Sequence, residues 1–546
     1  MQPKCYFTLS VLFFVLNANA VGQVSDSEID KNTATMLKRN TGKIVFIQDN
    51  IEQSRTRESD FLNTYTLTDS STLYFRFFIN NSLVKCIRKL EPSLDSQDIE
   101  ESGSFQITYF VDNKKIYTEL LFPSLLSSTE KNEETMFTWS IQRPEPGFLW
   151  TRFLLNGGEE VLTDGKHVLK LQIHPYWLKN SRSKTGSVIA KGEINLQIVR
   201  PHINNKLAAV QTIEQDNDWK ISSETYDKEK IEELNRKILQ NRFKKIKSIV
   251  VIKSGQLLIE EYFNGSSRDS LHDTRSVGKT FGSALMGIAI SDGYIKNIDQ
   301  TLSSFYNLKT FSNYSTYKDS VSLRQLITMT SAFKGNDDDE NSPGNESNMY
   351  DKSNWVEWTL NLPIDSNRIK NRTWAYFTAG SMLLGDIINK SVPGGMKIYA
   401  DNKLFMPLGI SNYKWVYTPQ NVPSTAGGIR LRSLDMAKFG FVYQNKGIWN
   451  QRQIIPKNWV EESLKSYHST GSSSGYGYLW WQKIYEVSGK KYETYFCTGN
   501  GGNKIYVFRE IPVVIVIAAE AFNTPYMHLQ ADRIVDKYLL PSLLGQ

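Results

Sequence analysis

The sequence predicts two folded domains: an N-terminal all-β sandwich and a C-terminal α/β domain in which an antiparallel sheet is flanked by helices. Three observations support this prediction. Segments with alternating apolar residues recur from about residue 40 to 200, strand patterns enclose a long helical region after about residue 230, and 546 residues exceed one ordinary domain. The predicted organisation is a signal peptide at 1–20, a β-sandwich domain at 21–205, a linker at 206–229 and the second domain at 230–546.

The first residues have the pattern of a secretory signal peptide. Lys4 supplies the basic start, Phe7–Leu16 the short apolar core, and Ala18-Asn19-Ala20 a small-residue cleavage site. The mature chain is expected to begin near Val21 and to be exported, as a periplasmic or a secreted protein. Because no other uninterrupted stretch approaches about 20 apolar residues, no stable membrane anchor is predicted.

The N-terminal domain is predicted from period-two alternation, which is typical of half-buried strands. The alternating segments are Ile44–Ile47, Leu73–Phe78, Phe105–Tyr109, Leu169–Ile173 and Ile194–Ile198. Turn residues such as Asp164-Gly165 separate them, and no convincing helical pattern interrupts them. Two roles remain open for this domain: binding a surface or protein ligand, or serving as a structural appendage of the second domain.

The second domain is predicted from a change of period along the chain. A helix is expected at Ile231–Leu239 and a hairpin at Ile246–Lys253 and Gln256–Phe263, followed by mainly helical patterns. The later strands and the closing helix are expected at Tyr478–Val487, Tyr492–Cys497, Lys504–Phe508, Val513–Ala518 and Leu529–Leu544. Two strands, then helices, then several strands imply a mixed layer with an inserted helical region.

Composition excludes several classes of function. The formal charge of +7 is spread along the chain without a basic block or an aromatic platform, so nucleic-acid binding is not predicted. No metal-ligand spacing is found, and no cofactor is predicted. The acidic run Asp337–Glu340 is interpreted as a solvated loop and not a cation site, and its position after Thr330-Ser331 suggests a lid over the cleft. Cys86 and Cys497 are too few for a disulfide framework, and two free buried thiols are favoured over one interdomain bridge.

Ser276 and Lys279 are the candidate nucleophile and base. Residues three apart share a helix face, so the Lys279 amine would lie over the Ser276 hydroxyl and could take its proton without a histidine. The same spacing also occurs at Ser128/Lys131, Ser181/Lys184, Ser315/Lys318, Ser411/Lys414 and Ser488/Lys491. Only after Ser276 do Phe281, Leu285 and Ile288 mark a buried helical face, and this context selects the pair.

Residues from about 230 to 546 resemble the serine β-lactamase-related hydrolases, which include class C β-lactamases, penicillin-recognising esterases and 6-aminohexanoate-dimer hydrolases. Ser276-Val277-Gly278-Lys279 matches the first motif of that family. Further similar segments are Ser322–Ser331, Leu404–Ile410 and Ala426–Ile429. The resemblance implies a β-lactamase-like transpeptidase fold with a helical subdomain, and catalysis through an acyl-enzyme on Ser276.

The second family motif is a tyrosine two residues before an asparagine, and Tyr376-Phe377-Thr378 resembles it. By this resemblance Tyr376 shares a proton with Lys279, although a core tyrosine without a catalytic role is the alternative. Thr378 stands where the family has the asparagine. Because threonine offers one hydroxyl in place of an amide donor and acceptor, substrate positioning is expected to differ from that of the family.

The third family motif is a lysine or histidine, then threonine, then glycine, and the similar segment is Cys497-Thr498-Gly499-Asn500. The resemblance implies that the backbone N–H groups of Asn500 and Ser276 form an oxyanion hole, and that this strand lines the substrate site. The cation of the motif is missing here. We therefore expect poor β-lactam binding and a better fit for neutral esters or amides.

The function predicted from these features is that of an exported serine hydrolase cleaving a small-molecule ester or amide. Two altered motifs leave open a catalytically inactive binding protein, and the resemblance leaves open a β-lactamase or D,D-peptidase acting on β-lactams or cell-wall peptides. Gly471-Ser472-Ser473-Ser474-Gly475 matches the nucleophile elbow of α/β-hydrolases, with His528 as the only downstream histidine. This elbow is disfavoured because the strand-to-helix context that it requires is not predicted.

Overall fold

The computed structural model describes residues 35–48, 51, 55–68, 73–140, 149–179, 182–215, 217–371, 373–471, 474–524 and 526–545. The predicted signal peptide lies outside these residues. The chain divides into two units: the first ends at Gln197, and the second runs from Ile198 onward and includes the short segments Leu67–Ser70 and Leu154–Glu159. In the described ranges no helix is long and apolar enough to cross a membrane.

The first unit is built on two sheets. A three-stranded sheet has the order β1-β3-β6, and a six-stranded sheet has the order β2-β9-β7-β4-β5 with β8 paired to β7. The strands are β1 Ile44–Ile47, β2 Thr64–Leu67, β3 Tyr74–Phe78, β4 Gly103–Val111, β5 Lys114–Leu120, β6 Met136–Ser140, β7 Gly165–Lys179, β8 Arg182–Thr185 and β9 Ala190–Ile198. All five alternating segments of the sequence lie within these strands or overlap them closely.

Aromatic side chains fill the space between the two sheets. The ring of Phe105 on β4 lies 5.3 Å from that of Phe77 and 5.1 Å from that of Phe137, which belong to β3 and β6 of the smaller sheet. Rings at these separations and near-perpendicular angles have the favoured edge-to-face geometry. The inward residues of the larger and smaller sheets therefore share one core, in agreement with the predicted sandwich.

Short helices accompany these sheets, so the expectation of a region without helices is wrong. They are α1 Leu83–Leu90, α2 Ser96–Ser102, α3 Ser128–Asn132, α4 Leu149–Phe153 and α5 Glu159–Val161. In α1 the buried residues are Leu83, Val84 and Ile87, which lie on one helical face. A helix of eight residues offers only two turns of this pattern, which is too short to stand out from the neighbouring alternation.

The second unit contains an eight-stranded sheet with the order β11-β10-β22-β21-β20-β19-β18-β17, in which neighbouring strands are antiparallel. Its strands are β10 Ile246–Lys253, β11 Gln256–Tyr262, β17 His468–Gly471, β18 Ser474–Tyr476, β19 Trp481–Val487, β20 Lys490–Gly499, β21 Asn503–Phe508 and β22 Val513–Ala519. Smaller pairings involve β12 His272–Asp273, β13 Lys414–Trp415, β14 Ile429–Leu431, β15 Ile448–Trp449 and β16 Arg452–Gln453. The predicted order of two strands, helices and further strands is confirmed.

Both faces of this sheet are covered. Val250 and Ile252 of β10 pack into one apolar core, whereas Ile249 and Val251 pack into another on the opposite face. Successive side chains of a strand point to opposite faces, so a strand buried on both sides needs the continuous apolar run that β10 shows. One core is covered mainly by the inserted helical region, and the other by the helix Lys228–Leu239 and the helices that follow Met527.

The helices of the second unit enclose these two cores. They are α6 Asn205–Ala208, α7 Lys228–Leu239, α8 Gly278–Ser291, α9 Thr316–Ser320, α10 Leu323–Ile327, α11 Ser347–Tyr350, α12 Trp355–Asn361, α13 Ser366–Asn371, α14 Thr378–Ser391, α15 Gly395–Ala400, α16 Ser433–Gln444, α17 Lys457–Ser463, α18 Met527–Ile534 and α19 Leu540–Leu544. Ahead of α7, Trp219 is buried, with its ring 5.1 Å from that of Trp449. The second unit therefore includes packed residues that precede its first long helix.

Helix α8 is the central element because it is buried on every side from Gly278 to Ala289. A helix that is apolar all round belongs in the interior, and close packing there demands small residues. At Gly287 an added Cβ would lie only 2.2 Å from the Trp459 ring. The glycine is therefore required by packing and not by backbone conformation.

The substitution Gly287→Ala tests this packing. In an exposed helix the change would stabilise by about 1 kcal/mol, but here the methyl group overlaps an indole, so we expect a loss of about 1–3 kcal/mol in unfolding free energy. Urea denaturation measures the change, and Ser291→Ala at the exposed end of α8 is the matched control. A Gly287→Ala variant as stable as the wild type would contradict this account.

Candidate active site

The turn that carries Ser276 is fixed by its neighbours. Ser276 lies in the 3-10 turn Arg275–Val277 that precedes α8. Thr274 anchors this turn, since its N–H and its hydroxyl both donate to the Ile429 carbonyl, at 3.1 and 2.7 Å. Arg275 has a φ of 51°, a left-handed conformation that is costly for a residue with a side chain. Such strain persists only where surrounding structure enforces it, and here it lies next to the candidate nucleophile.

The structure brings Ser276 and Lys279 together. Lys279 is 1% exposed, and its Nζ donates to the Ser276 Oγ at 2.7 Å and to the Ala426 carbonyl at 2.7 Å. Ala426 belongs to the Ala426–Ile429 segment that carried part of the family resemblance. The amine is thus held by one backbone acceptor while it points at the hydroxyl. This is the geometry required of a lysine that exchanges a proton with a serine.

Tyr376 presents its ring face to this amine. The Lys279 Nζ lies 5.2 Å from the ring centroid, within the range of a cation–π contact. The ring stacks on Trp481 with centroids 6.0 Å apart, and Trp374 lies 6.3 Å away. Within the described residues the tyrosine hydroxyl forms no hydrogen bond to Lys279. Tyr376 therefore lies at the site, and the proton exchange expected of its hydroxyl remains a prediction.

Thr378 is hydrogen-bonded to Asp337, a residue that the sequence analysis assigns to a solvated loop. Thr378 begins α14, is buried, and donates its backbone N–H to the Asp337 Oδ2 at 2.7 Å. Asp337 in turn donates its N–H to the Tyr376 carbonyl at 2.8 Å, and its Oδ1 accepts the N–H of Glu346 at 2.8 Å. The interpretation of the acidic run as a solvated loop is therefore wrong for Asp337, although Asp338, Asp339 and Glu340 are exposed.

The electrostatic setting of Asp337 is unusual for a carboxyl group. Burial, and secondarily the negative charge of Glu346, raise its pKa to about 6, while hydrogen bonding from Thr378 and the charge of Lys279 act in the opposite direction. A carboxyl group beside the candidate catalytic lysine thus titrates in the physiological range. The sequence offered no signal for it, because Asp337 and Thr378 are 41 residues apart.

The end of strand β20 passes directly beside the nucleophile. An added Cβ at Gly499 would lie 2.2 Å from the Thr274 carbonyl and 3.0 Å from the Ser276 nitrogen, so only glycine allows this approach. Asn500 follows in a turn, and two hydrogen bonds fix its side chain to Asn523. The Asn500 Nδ2 donates to the Asn523 Oδ1 at 2.5 Å, and the Asn523 N–H donates to the Asn500 Oδ1 at 2.8 Å. Among the described residues its backbone N–H has no acceptor. This arrangement suits the predicted pair of oxyanion donors, Ser276 and Asn500.

His528 is a further residue at this strand. Its Nδ1 lies 3.1 Å from the Thr498 Oγ1, and burial together with the nearby charge of Lys504 lowers its pKa to about 4. The ring is therefore neutral at pH 7. The sequence indicates a role for His528 only as the partner of a hydrolase elbow, and Ser472 and Ser473 of that elbow lie outside the described residues. Its proximity to Thr498 depends on the docking of α18, which no local pattern predicts.

Cys497, where the family resemblance leads one to expect a cation, is a buried neutral thiol. Burial raises its pKa to about 12, so the thiol stays protonated and unreactive at neutral pH. Both Cys497 and the half-buried Cys86 are free thiols. In the described ranges no group of three or more His, Cys, Asp or Glu residues could hold a metal ion.

An antiparallel sheet flanked by helices, with a serine–lysine pair at the start of a buried helix, defines the class of β-lactamase-like hydrolases. A beta-lactamase family model matches residues 244–539, more than half of the chain, and the chain therefore belongs to the beta-lactamase family. No curated protein sequence matches the chain.

Several solved structures are similar to the chain over its second half. A Bacillus anthracis protein assigned as a 6-aminohexanoate-dimer hydrolase is 20% identical, with a TM-score of 0.46, over 56% of this chain and 82% of its own. An octameric penicillin-binding protein homologue from Pyrococcus abyssi is 19% identical, with a TM-score of 0.43, over 58% and 77%. A class C beta-lactamase is 17% identical, with a TM-score of 0.42, over 58% and 96%.

The substitution Asp337→Asn tests the environment of this carboxyl group. A folded-state pKa raised from 3.8 to about 6 means that the native state binds a proton that the unfolded state has lost, so stability falls as pH rises from about 4 to about 6. We expect the variant to lack this pH-dependent part of the unfolding free energy, which amounts to at most about 3 kcal/mol. Urea denaturation across that pH range measures it, with the exposed Glu340→Gln as control. Identical pH slopes for variant and wild type would contradict the assignment.

Proposed function

We propose that the protein is an exported serine hydrolase that cleaves an ester or amide of a small molecule through an acyl-enzyme on Ser276. The observation that carries this proposal is the 2.7 Å hydrogen bond between the buried Lys279 amine and the Ser276 hydroxyl. Membership of the beta-lactamase family supports it. Export rests on the signal pattern at 1–20 alone.

The proposed reaction has two steps. In the first, the Ser276 oxygen attacks the substrate carbonyl carbon, Lys279 takes the hydroxyl proton, and the backbone N–H groups of Ser276 and Asn500 stabilise the oxyanion. Collapse of this intermediate breaks the bond to the leaving group, which receives the proton from Lys279. In the second step a water molecule attacks the acyl carbon and Lys279 again transfers the proton, which releases the acid and restores the serine.

The substrate class follows from the charges that border β20. At the position of the family cation the chain has the neutral thiol of Cys497, and the Thr498 hydroxyl is engaged by the neutral His528. This strand therefore offers no fixed positive charge to a substrate carboxylate. Neutral esters or amides fit this strand better than β-lactams or carboxylate-terminated cell-wall peptides, which remain the alternative substrates.

A second candidate function is that of a binding protein with the same fold and no catalytic activity. Threonine in place of asparagine at Thr378, and cysteine in place of a cation at Cys497, favour a catalytically inactive binding protein. Against it stands the intact pair of Ser276 and Lys279, since a binding protein has no need to bury a lysine against a serine. Covalent labelling separates the two candidates.

The first test is covalent labelling of the wild-type protein with a fluorophosphonate, followed by intact mass measurement and peptide mapping. We expect a single adduct on Ser276 that is absent from Ser276→Ala. Lys279→Ala is expected to label at least about 100-fold more slowly, because it lacks the general base.

The matched control is another serine–lysine pair of the same spacing. The Lys318 Nζ donates to the Leu360 carbonyl at 2.7 Å and to the Ser312 carbonyl at 3.4 Å, and not to the Ser315 hydroxyl. Ser315→Ala should therefore label like the wild type. A folded wild-type protein that forms no adduct would favour the binding protein, and normal labelling of Lys279→Ala would exclude that lysine as the base.

Substrate charge gives an independent test. We expect the kcat/KM for p-nitrophenyl heptanoate to exceed that for mono(p-nitrophenyl) adipate at least about tenfold, since the carboxylate of the second ester has no cation to meet at Cys497. Turnover of a chromogenic cephalosporin should be slower still. Preference for the charged ester, or efficient cephalosporin hydrolysis, would instead support the β-lactamase or D,D-peptidase alternative.

A further inference from the structure

A polar cavity of about 580 Å³ lies in the second unit. It is lined by Tyr317, Arg324, Gln325, Thr328, Thr330, Arg368, Ile369, Tyr467 and His468. None of the residues proposed for catalysis lines it. The volume is within the range of small-molecule sites and far exceeds that of a single ion or water molecule.

The two arginines of this cavity differ in how their charge is balanced. Arg324 forms a bidentate ion pair with Asp299, at 2.7 and 3.0 Å, and also contacts the Tyr478 hydroxyl. Arg368 donates its Nη1 to the carbonyls of Phe333 and Gly335, at 2.7 and 3.0 Å. Carbonyl oxygens orient a guanidinium group without neutralising it.

Arg368 is the guanidinium group of the cavity that no carboxylate binds among the described residues. Among the described residues it has no ion-pair partner, and its Nη2 atom is buried without an acceptor. Burial lowers the pKa of Arg368, and the negative charge of the nearby Asp365 opposes this shift only in part. A guanidinium group nevertheless stays protonated in proteins. No carboxylate is among the described residues that line the cavity, so an anionic ligand would meet the Arg368 guanidinium group directly.

The remaining lining divides into a polar and an apolar part. The hydroxyls of Thr328 and Thr330 lie 3.0 Å apart, and burial lowers the pKa of His468, so its imidazole is a neutral hydrogen-bonding group at pH 7. Ile369 and the rings of Tyr317 and Tyr467 provide apolar surface. Few polar groups beside apolar walls are typical of sites that hold an organic molecule by one polar end.

The wall of this cavity is linked to the catalytic segment. Met329, between the two threonines, has a φ of 57°, and its carbonyl accepts the N–H of Ala375 at 3.2 Å. Ala375 directly precedes Tyr376, whose ring faces Lys279. A ligand that touches the threonines would thus lie one backbone hydrogen bond from the candidate active site.

We propose that this cavity is a second binding site, for a small organic anion with a single carboxylate or phosphate-type group. Arg368 compensates the anionic charge, the threonine hydroxyls and His468 supply hydrogen bonds, and the organic body packs on the tyrosine rings and Ile369. This site is separate from the catalytic one, so it stands or falls independently of the hydrolase function.

The test is calorimetric titration of the full chain, in a Ser276→Ala background so that no acylation contributes heat. Phenylphosphonate and benzoate represent the two anion types, and benzyl alcohol is the neutral analogue. We expect at least one anion to bind with a dissociation constant below about 1 mM and at least tenfold more tightly than benzyl alcohol. Comparison of the two anions shows which group the site prefers. Equal affinity for all three, or no binding, would overturn the proposal.

Two variants locate the binding. Arg368→Gln should weaken the anion at least tenfold, whereas Arg452→Gln, which removes an equal charge from an exposed strand, should leave the affinity unchanged. If Arg368→Gln fails to fold, Ile369→Trp fills the cavity without changing its charge and should abolish binding. Unchanged affinity in Ile369→Trp, or equal losses in both arginine variants, would show that the anion binds elsewhere and overturn the assignment.

Discussion

The candidate site depends on the burial of one amine, that of Lys279. Taking the polar end of a lysine out of water costs free energy unless other groups replace its hydration. The fold supplies three such groups: the Ser276 hydroxyl, the Ala426 carbonyl and the face of the Tyr376 ring. Each comes from a different segment, so the arrangement around one nitrogen requires helix α8, the loop before β14 and the loop before α14 to dock together.

Much of the fold could be predicted from the sequence because patterns of neighbouring residues indicate most of its strands. The period-two segments of the first unit and the continuous apolar run of β10 predict strands, since alternation reports which faces are buried. Ser276 and Lys279 could be paired because residues three apart share a helix face and an apolar helical pattern follows them. The spacing alone is not sufficient, since Lys318 donates to the Leu360 carbonyl and not to Ser315.

The parts that could not be predicted depend on long-range docking. Asp337 reaches the site through the N-terminus of α14, and His528 reaches Thr498 through the packing of α18 against the sheet. Neither contact produces a periodic pattern of residues from which it could be predicted. The helices of the first unit were missed for a different reason, since two turns are too few for the helical period to stand out.

The order of the strands in the eight-stranded sheet has a consequence for how the protein reaches its destination. Strand β22 lies between β10 and β21, so the first strand of this sheet to be synthesised pairs with the last. The edge of β10 that receives β22 stays open until about 260 further residues have been made. Such non-local closure is slow and leaves an apolar strand edge exposed in the meantime. If the chain is exported as we propose, this delay favours translocation. A chain whose central sheet cannot form early stays unfolded for longer, and an unfolded chain can pass through a narrow membrane pore.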